Sequence, residues 1–212
     1  MVTLEHQLWE AAGNGTLEEV KDFCSMPNID INYTDAAHLN TPFFRSCLLG
    51  NLPVVKYLLE HPEVNAMARQ REKASPFFIA CQEGHLEVVK LLLADPRIDV
   101  NLPMFNNAPP VCIASQNGFM DIVRVILASP RDISLEEKTS PGDEPWSDMT
   151  PVQITRWSSA QPIFRWEKPA GYTRRMKNCP PIADLLQDYI DDRVGCRHSL
   201  RCHPSLRGDP PP

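Results

Sequence analysis

The sequence predicts an all-α solenoid: stacked helix-turn-helix units joined by short hairpin-like loops and closed by an irregular carboxyl-terminal cap. Three observations carry that expectation. Thr41-Pro42, Ser75-Pro76 and Pro109-Pro110 follow one another at steps of 34 residues. Gly50, Gly84 and Gly118 keep the same step, and Gly15 stands 35 residues before Gly50. Between these landmarks the apolar residues fall at helical spacing. Self-similarity at such a period is the signature of a repeat array.

The stretch Ser75 to Asn101, SPFFIACQEGHLEVVKLLLADPRIDVN, gives each landmark a physical reason. Ser75 can cap a helix through its hydroxyl, and Pro76 suits the first helical position, where a missing N–H costs nothing. Phe77, Ile79 and Ala80 make an apolar face, and small Ala80 and Cys81 allow a neighbouring helix to approach. Gly84 ends this helix where a left-handed backbone favours glycine. Leu86, Val89, Leu92 and Leu93 then form the buried stripe of a second helix. Each helix spans about two turns, well short of the ~12–15 residues at which an isolated helix becomes marginal, so stacking must supply the stability.

Applied to the whole chain, the register places units at about 4–40, 41–74, 75–108 and 109–134. Residues 135–149 read as an acidic Pro/Gly loop. The segment 131–149 holds six acidic and two basic residues together with Pro141, Gly142 and Pro145. Thr150-Pro151-Val152-Gln153 repeats the opening motif 41 residues after Pro109, so 150–192 is expected to be a degenerate fifth unit that caps the stack. Its second helix is expected at Pro181–Ile190. Residues 193–212 are poor in apolar residues and read as a disordered tail. Unit three looks two residues longer than unit two, because Leu59 to Asn65 spans six steps and Leu93 to Asn101 spans eight.

These motifs resemble the ankyrin-repeat family. The T-P-L-H-x-A opening appears as Thr41-Pro42-Phe43-Phe44-Arg45-Ser46, Ser75-Pro76-Phe77-Phe78-Ile79-Ala80 and Pro109-Pro110-Val111-Cys112-Ile113-Ala114. The G-H-x-x-x-V-x-x-L-L pattern appears as Gly84-His85 with Val89, Leu92 and Leu93. The glycine of the family's D-x-x-G-x-T hairpin is replaced by Leu39, Lys73 and Asn107, of which only Asn readily takes positive φ, so irregular hairpin tips are expected. The resemblance implies a non-catalytic protein-protein interaction module that binds a protein partner on a concave face. It implies ligand-facing helix positions at Leu48, Leu49, Gln82, Glu83, Gln116 and Asn117. The hairpin positions it implies are Ala37, His38, Asn40, Arg71, Glu72, Ala74, Phe105, Asn106 and Ala108. Leu48 and Phe105 are apolar where water is expected, which marks a contact patch.

Composition narrows the function further. The 42% hydrophobic content suffices for a core, and the 21 prolines are about double ordinary usage. Residues 1–130 carry 9 basic and 15 acidic residues, a balance that disfavours duplex nucleic acid as a partner. The amino terminus shows no basic-then-apolar leader, and no apolar run approaches ~20 residues, so an intracellular, cytoplasmic chain without a membrane span is expected. Cys47 and Cys81, at equivalent positions, read as core packing. No phosphate loop, nucleophile elbow or H-E-x-x-H is present, so no enzyme activity and no cofactor is expected, and His85 reads as a structural residue. Cys196, His198, Cys202 and His203 have zinc-ligand chemistry in a non-standard spacing and read as part of a solvated tail. Two alternatives remain beside the interaction module: an array that targets a larger enzyme system, and an acidic-ligand or nucleic-acid site built from the Arg- and Trp-rich stretch 156–177.

Overall fold

The structure, a computed structural model, describes residues 3–142, 147–160 and 169–191. The described residues form ten α-helices and no strand. The chain divides into two compact units, residues 1–105 and 106–212.

The amino-terminal unit holds three helix pairs: α1 (Leu4–Asn14) with α2 (Leu17–Cys24), α3 (Pro42–Leu49) with α4 (Leu52–Glu60), and α5 (Pro76–Glu83) with α6 (Leu86–Ala94). The first helices pack in the order α1, α3, α5 and the second helices in the order α2, α4, α6. Local chemistry sets the starts of α2, α3 and α5. The hydroxyls of Thr41 and Ser75 accept from the Phe44 and Phe78 amides at 3.1 Å, with Pro42 and Pro76 at the first helical position. Thr16 and Glu19 close a reciprocal capping box on α2. Gly50 and Gly84 end α3 and α5 at φ 71° and 86°, the left-handed turn expected of them. The expected stripe of α6 is buried at Val89, Leu92 and Leu93, joined by Val88, whereas Leu86 is only half-buried. Phe43, Phe77 and Phe78 fill the layer of first helices, with Cys47 and Cys81 beside them as free thiols.

The hairpin tips, here called fingers, depart from expectation by being regular. Leu39 and Lys73 adopt φ 60° and 65° although neither is glycine. Asp35 enforces this in the first finger: its carboxylate accepts from the amides of Ala37, His38 and Asn40 at 3.1, 2.8 and 2.7 Å. Burial alone would raise the Asp35 pKa, but the hydrogen bonds from His38, Asn40 and Ala37 outweigh it and hold the carboxyl below its usual range. In the second finger Arg69 Nε donates to Lys73 O at 2.5 Å. A side chain in the left-handed region costs about 1–2 kcal/mol, and glycine's extra unfolded freedom returns part of that. Leu39→Gly and Lys73→Gly should therefore each raise stability by about 0.5–1 kcal/mol in chemical denaturation. A fall in stability would show that the side chains contribute more contacts than their backbones lose in strain.

Repeat three is not anomalous in length. Pro27-Asn28-Ile29-Asp30-Ile31-Asn32 closes the first repeat as Pro96-Arg97-Ile98-Asp99-Val100-Asn101 closes the third, and each final Asn amide donates to the Asp two residues earlier at 2.9 Å. Only the closing turn of repeat two is short, because His61-Pro62-Glu63-Val64-Asn65 lacks that turn. The longer turn in repeat three is tied back by Arg97, which pairs with Asp95 at 2.6 Å and donates to Leu59 O at 2.6 Å.

The carboxyl-terminal unit holds α7 (Pro110–Gln116), α8 (Met120–Ala128), α9 (Pro151–Ala160) and α10 (Pro169–Asp191). The described residues at the two ends of segment 135–149 pair with each other as the base of a finger does: Thr139 N donates to Met149 O at 3.0 Å, Lys138 pairs with Asp148 at 3.2 Å, and Asp148 takes φ 57°, as Asn107 takes 62° in the finger before it. The opening motif at Thr150 starts α9 as expected. The last helix differs from expectation, since α10 begins at Pro169 and runs through Pro180 and Pro181. It covers the end of α7. Arg174 Nε donates to Asn117 O and Asn178 Nδ2 to Gly118 O, both at 2.8 Å, and the Cys179 thiol reaches Ser115 O at 3.2 Å. Gly118, at φ 73°, lets the backbone of α10 approach closely, since a Cβ there would stand 3.0 Å from Arg174 O. Residues 193–212, with Cys196, His198, Cys202 and His203, lie outside the described residues.

Candidate interaction face

Within the amino-terminal unit, a backbone bond stitches each finger to the next: Arg71 N to His38 O at 2.9 Å, and Phe105 N to Glu72 O at 3.2 Å. Arg71 adds a guanidinium bond to Ala36 O, and Arg69 reaches Pro103 O. The finger residues Ala37, His38, Arg71 and Glu72 are exposed, and Phe105 is 58% exposed. A row of hydrogen-bonded tips thus holds an aromatic ring in water.

A second feature lies on the first helices. Trp9 and Gly13 stand one turn apart on α1, as Arg45 and Leu49 do on α3, and α1 packs on α3. The Arg45 guanidinium lies 3.7 Å from the centre of the Trp9 ring. Gly13 makes room for this: a Cβ there would meet Leu49 Cδ1 at 2.6 Å and Arg45 Nε at 2.8 Å. His6 stacks on Trp9 at 5.3 Å and meets the edge of Tyr33 at 6.3 Å. Leu49 remains 45% exposed. Nε1 of Trp9 and Nε of Arg45 are both sealed from solvent without a hydrogen-bond acceptor.

Of the helix positions implied by the family pattern, Leu49 and Glu83 are exposed and Gln82 is half-buried. Leu48 corrects the expectation of an exposed leucine, since it is half-buried. The reason lies in His85, whose Nε2 sits 2.9 Å from Leu48 O and draws the last turn of α3 against the next repeat. A carbonyl only accepts, so Nε2 carries the proton and His85 is structural, as read from the sequence. Asn51 has the equivalent role in the preceding repeat, donating to Gly15 O at 3.1 Å. Asn40 and Ala74 are buried at the finger bases, where Asn40 returns its amide to Asp35. Their side chains present no surface. In the carboxyl-terminal unit Ala108 is buried, Asn106, Gln116 and Asn117 are half-buried, and α10 takes the carbonyls of Gln116 and Asn117.

The sequence reading missed Arg45 and Trp9. A signal for Arg45 existed: it occupies the register of Ile79, an apolar position in the next repeat.

Nothing in the described residues assembles a nucleophile or metal set. Burial pushes the thiols of Cys47 and Cys81 far above their ordinary value and that of Cys112 up to about 12, which removes their nucleophilic form. No group of three or more His, Cys, Asp or Glu could hold a metal ion among the described residues. No helix there is long and apolar enough to cross a membrane.

The chain matches the family model described as ankyrin repeats (3 copies) over residues 8–104. Residues 8–104 are ankyrin repeats. The match ends one residue before the amino-terminal unit does, so the three ankyrin repeats are the helix pairs α1–α2, α3–α4 and α5–α6. Ankyrin repeats are in general protein-protein interaction modules and are typically non-catalytic. No curated protein matches the chain.

Proposed function

We propose that this chain is an intracellular, non-catalytic adaptor that binds a protein partner on the finger-and-first-helix face of its ankyrin repeats. The observation that carries the reading is the exposure of Leu49 and Phe105 on a backbone that has no slack. Leu49 sits on a capped helix packed over Gly13, and Phe105 follows a finger stitched to its neighbour. Large apolar side chains held in water on a rigid scaffold are what a desolvated interface centre needs, because little ordering entropy is left to lose on binding. In this reading α9 and α10 act as the cap over α7 and α8 within the carboxyl-terminal unit. Arg174 and Arg175 support that assignment over an acidic-ligand site, since Arg174 stacks 3.9 Å over Phe119 and Arg175 is 1% exposed and donates to Ser158 O.

The test is a pull-down with the full chain and a Leu49→Asp/Phe105→Asp variant. The double variant should lose the partners that the parent recovers while melting within a few degrees of it, because both sites are surface sites. Partners retained at parental levels would place the interface elsewhere.

A further inference from the structure

Apart from Lys56, which is exposed on α4, the cations of the ankyrin repeats are divided between two environments. On the second-helix side, Lys21 pairs with Glu18 at 3.0 Å, Lys90 with Glu87 at 2.7 Å and Arg97 with Asp95 at 2.6 Å. On the first-helix and finger side stand Arg45, Arg69, Arg71 and Lys73, and none of them meets a carboxylate among the described residues. The Asp35 carboxylate is filled by three amides of its own finger, Glu10 lies 3.7 Å from His6, and Glu72, although it stands between Arg71 and Lys73, is exposed and ion-paired with neither. In a chain of net charge −6, four cations without carboxylates on one face are a specific arrangement rather than a general excess of base.

Arg45 is the most constrained of them. Its guanidinium lies over the Trp9 ring, Gly13 leaves room beside it, and Nε is sealed without an acceptor. Its terminal nitrogens form no hydrogen bond among the described residues. A guanidinium fixed on an aromatic face has its rotamers already restricted and offers a planar pair of donors to a carboxylate. Leu49, one turn along α3, lies beside it over the same glycine. An acidic residue next to an apolar one would satisfy both, and the basic second finger extends the same sign of charge.

We propose that the segment recognised by this face is an acidic peptide in which a Glu or Asp binds Arg45 while an adjacent apolar side chain covers Leu49. This rests on the interaction face proposed above and adds the chemistry of its partner. The probe is a random short-peptide library displayed on phage and selected against the full chain, followed by titration of the best synthetic peptide against variants. The expected result is enrichment of Glu or Asp beside an apolar residue. Binding should weaken in salt and fall about tenfold or more in Arg45→Met, the loss expected for a charge-assisted contact. Met keeps the length and packing of the arginine stem, so the variant should melt with the parent. Peptides without acidic enrichment, or binding indifferent to Arg45→Met, would overturn the acidic assignment and leave the interface standing if Leu49→Asp still abolishes binding. A selection that yields no binder, or binders indifferent to Leu49→Asp, would overturn both.

Discussion

A chain truncated after Met149 is expected to run as aggregate on size exclusion and to bind hydrophobic dyes, although it keeps the three ankyrin repeats matched by the family. Removing α9 and α10 uncovers one side of α7 and α8, both of which pack on α10 while α7 also packs on α9. The lost residues include the buried Val152, Ile154, Ile182, Leu186 and Tyr189. The counterparts left in water include Ala108 and Cys112, which cluster with Ile154 in the intact chain. At roughly 25 cal/mol per Å² of apolar surface, even a few such side chains represent several kcal/mol. Polar groups add to the effect, because Asn117 O, Gly118 O and Ser115 O lose the donors on Arg174, Asn178 and Cys179. Repeat arrays depend on such closing elements for solubility. A monodisperse, monomeric 1–149 fragment with proportionate helix content would show that α9 and α10 are appended rather than capping.

The regions of this fold that the sequence predicted well are those decided within four or five residues. A hydroxyl before a proline, and a glycine eight residues later, fix the start and end of α3 and α5 by hydrogen bonds that close inside the element. The fingers were harder to read. Leu39 in a left-handed turn contradicts its own preference, and what holds it there is the carboxylate of Asp35 together with the bond from Arg71 N to His38 O in the next repeat. The early start of α10 was hidden for a similar reason, since Pro180-Pro181 reads locally as a break while the helix is held from outside by carbonyls of α7. Segment 135–149 reads from its sequence as an acidic loop, because its closing pair, Thr139 with Met149, is separated by residues that lie outside the repeat pattern.

The candidate face was legible in outline and not in detail. Family geometry pointed to Leu49, Phe105, Arg71 and Glu72, all of which are exposed. It could not separate Leu48 from Leu49, because that distinction depends on a histidine 37 residues away. Nor could it show the stacking of Arg45 on Trp9, which needs two helices in register and a glycine between them.

The same register yields the test that separates fold from function. Leu92 lies on α6 with no exposed surface. Leu92→Ala removes most of a fully buried side chain and leaves a cavity that neighbouring Val88, Val89 and Leu93, fixed on the same short helix, cannot fill by collapse. The expected cost is about 2–5 kcal/mol in chemical denaturation, a large share of the ~5–15 kcal/mol that holds a typical protein folded. Partner binding by the fraction still folded should be unchanged. Leu49 should behave in the opposite way. Its side chain is nearly half in water, so Leu49→Asp should alter stability by only about 0.5 kcal/mol and should act on the complex instead. If Leu49→Asp melts the protein as severely as Leu92→Ala, the packing of Leu49 over Gly13 belongs to the core, and the interaction face must then be sought around Phe105 and the fingers alone.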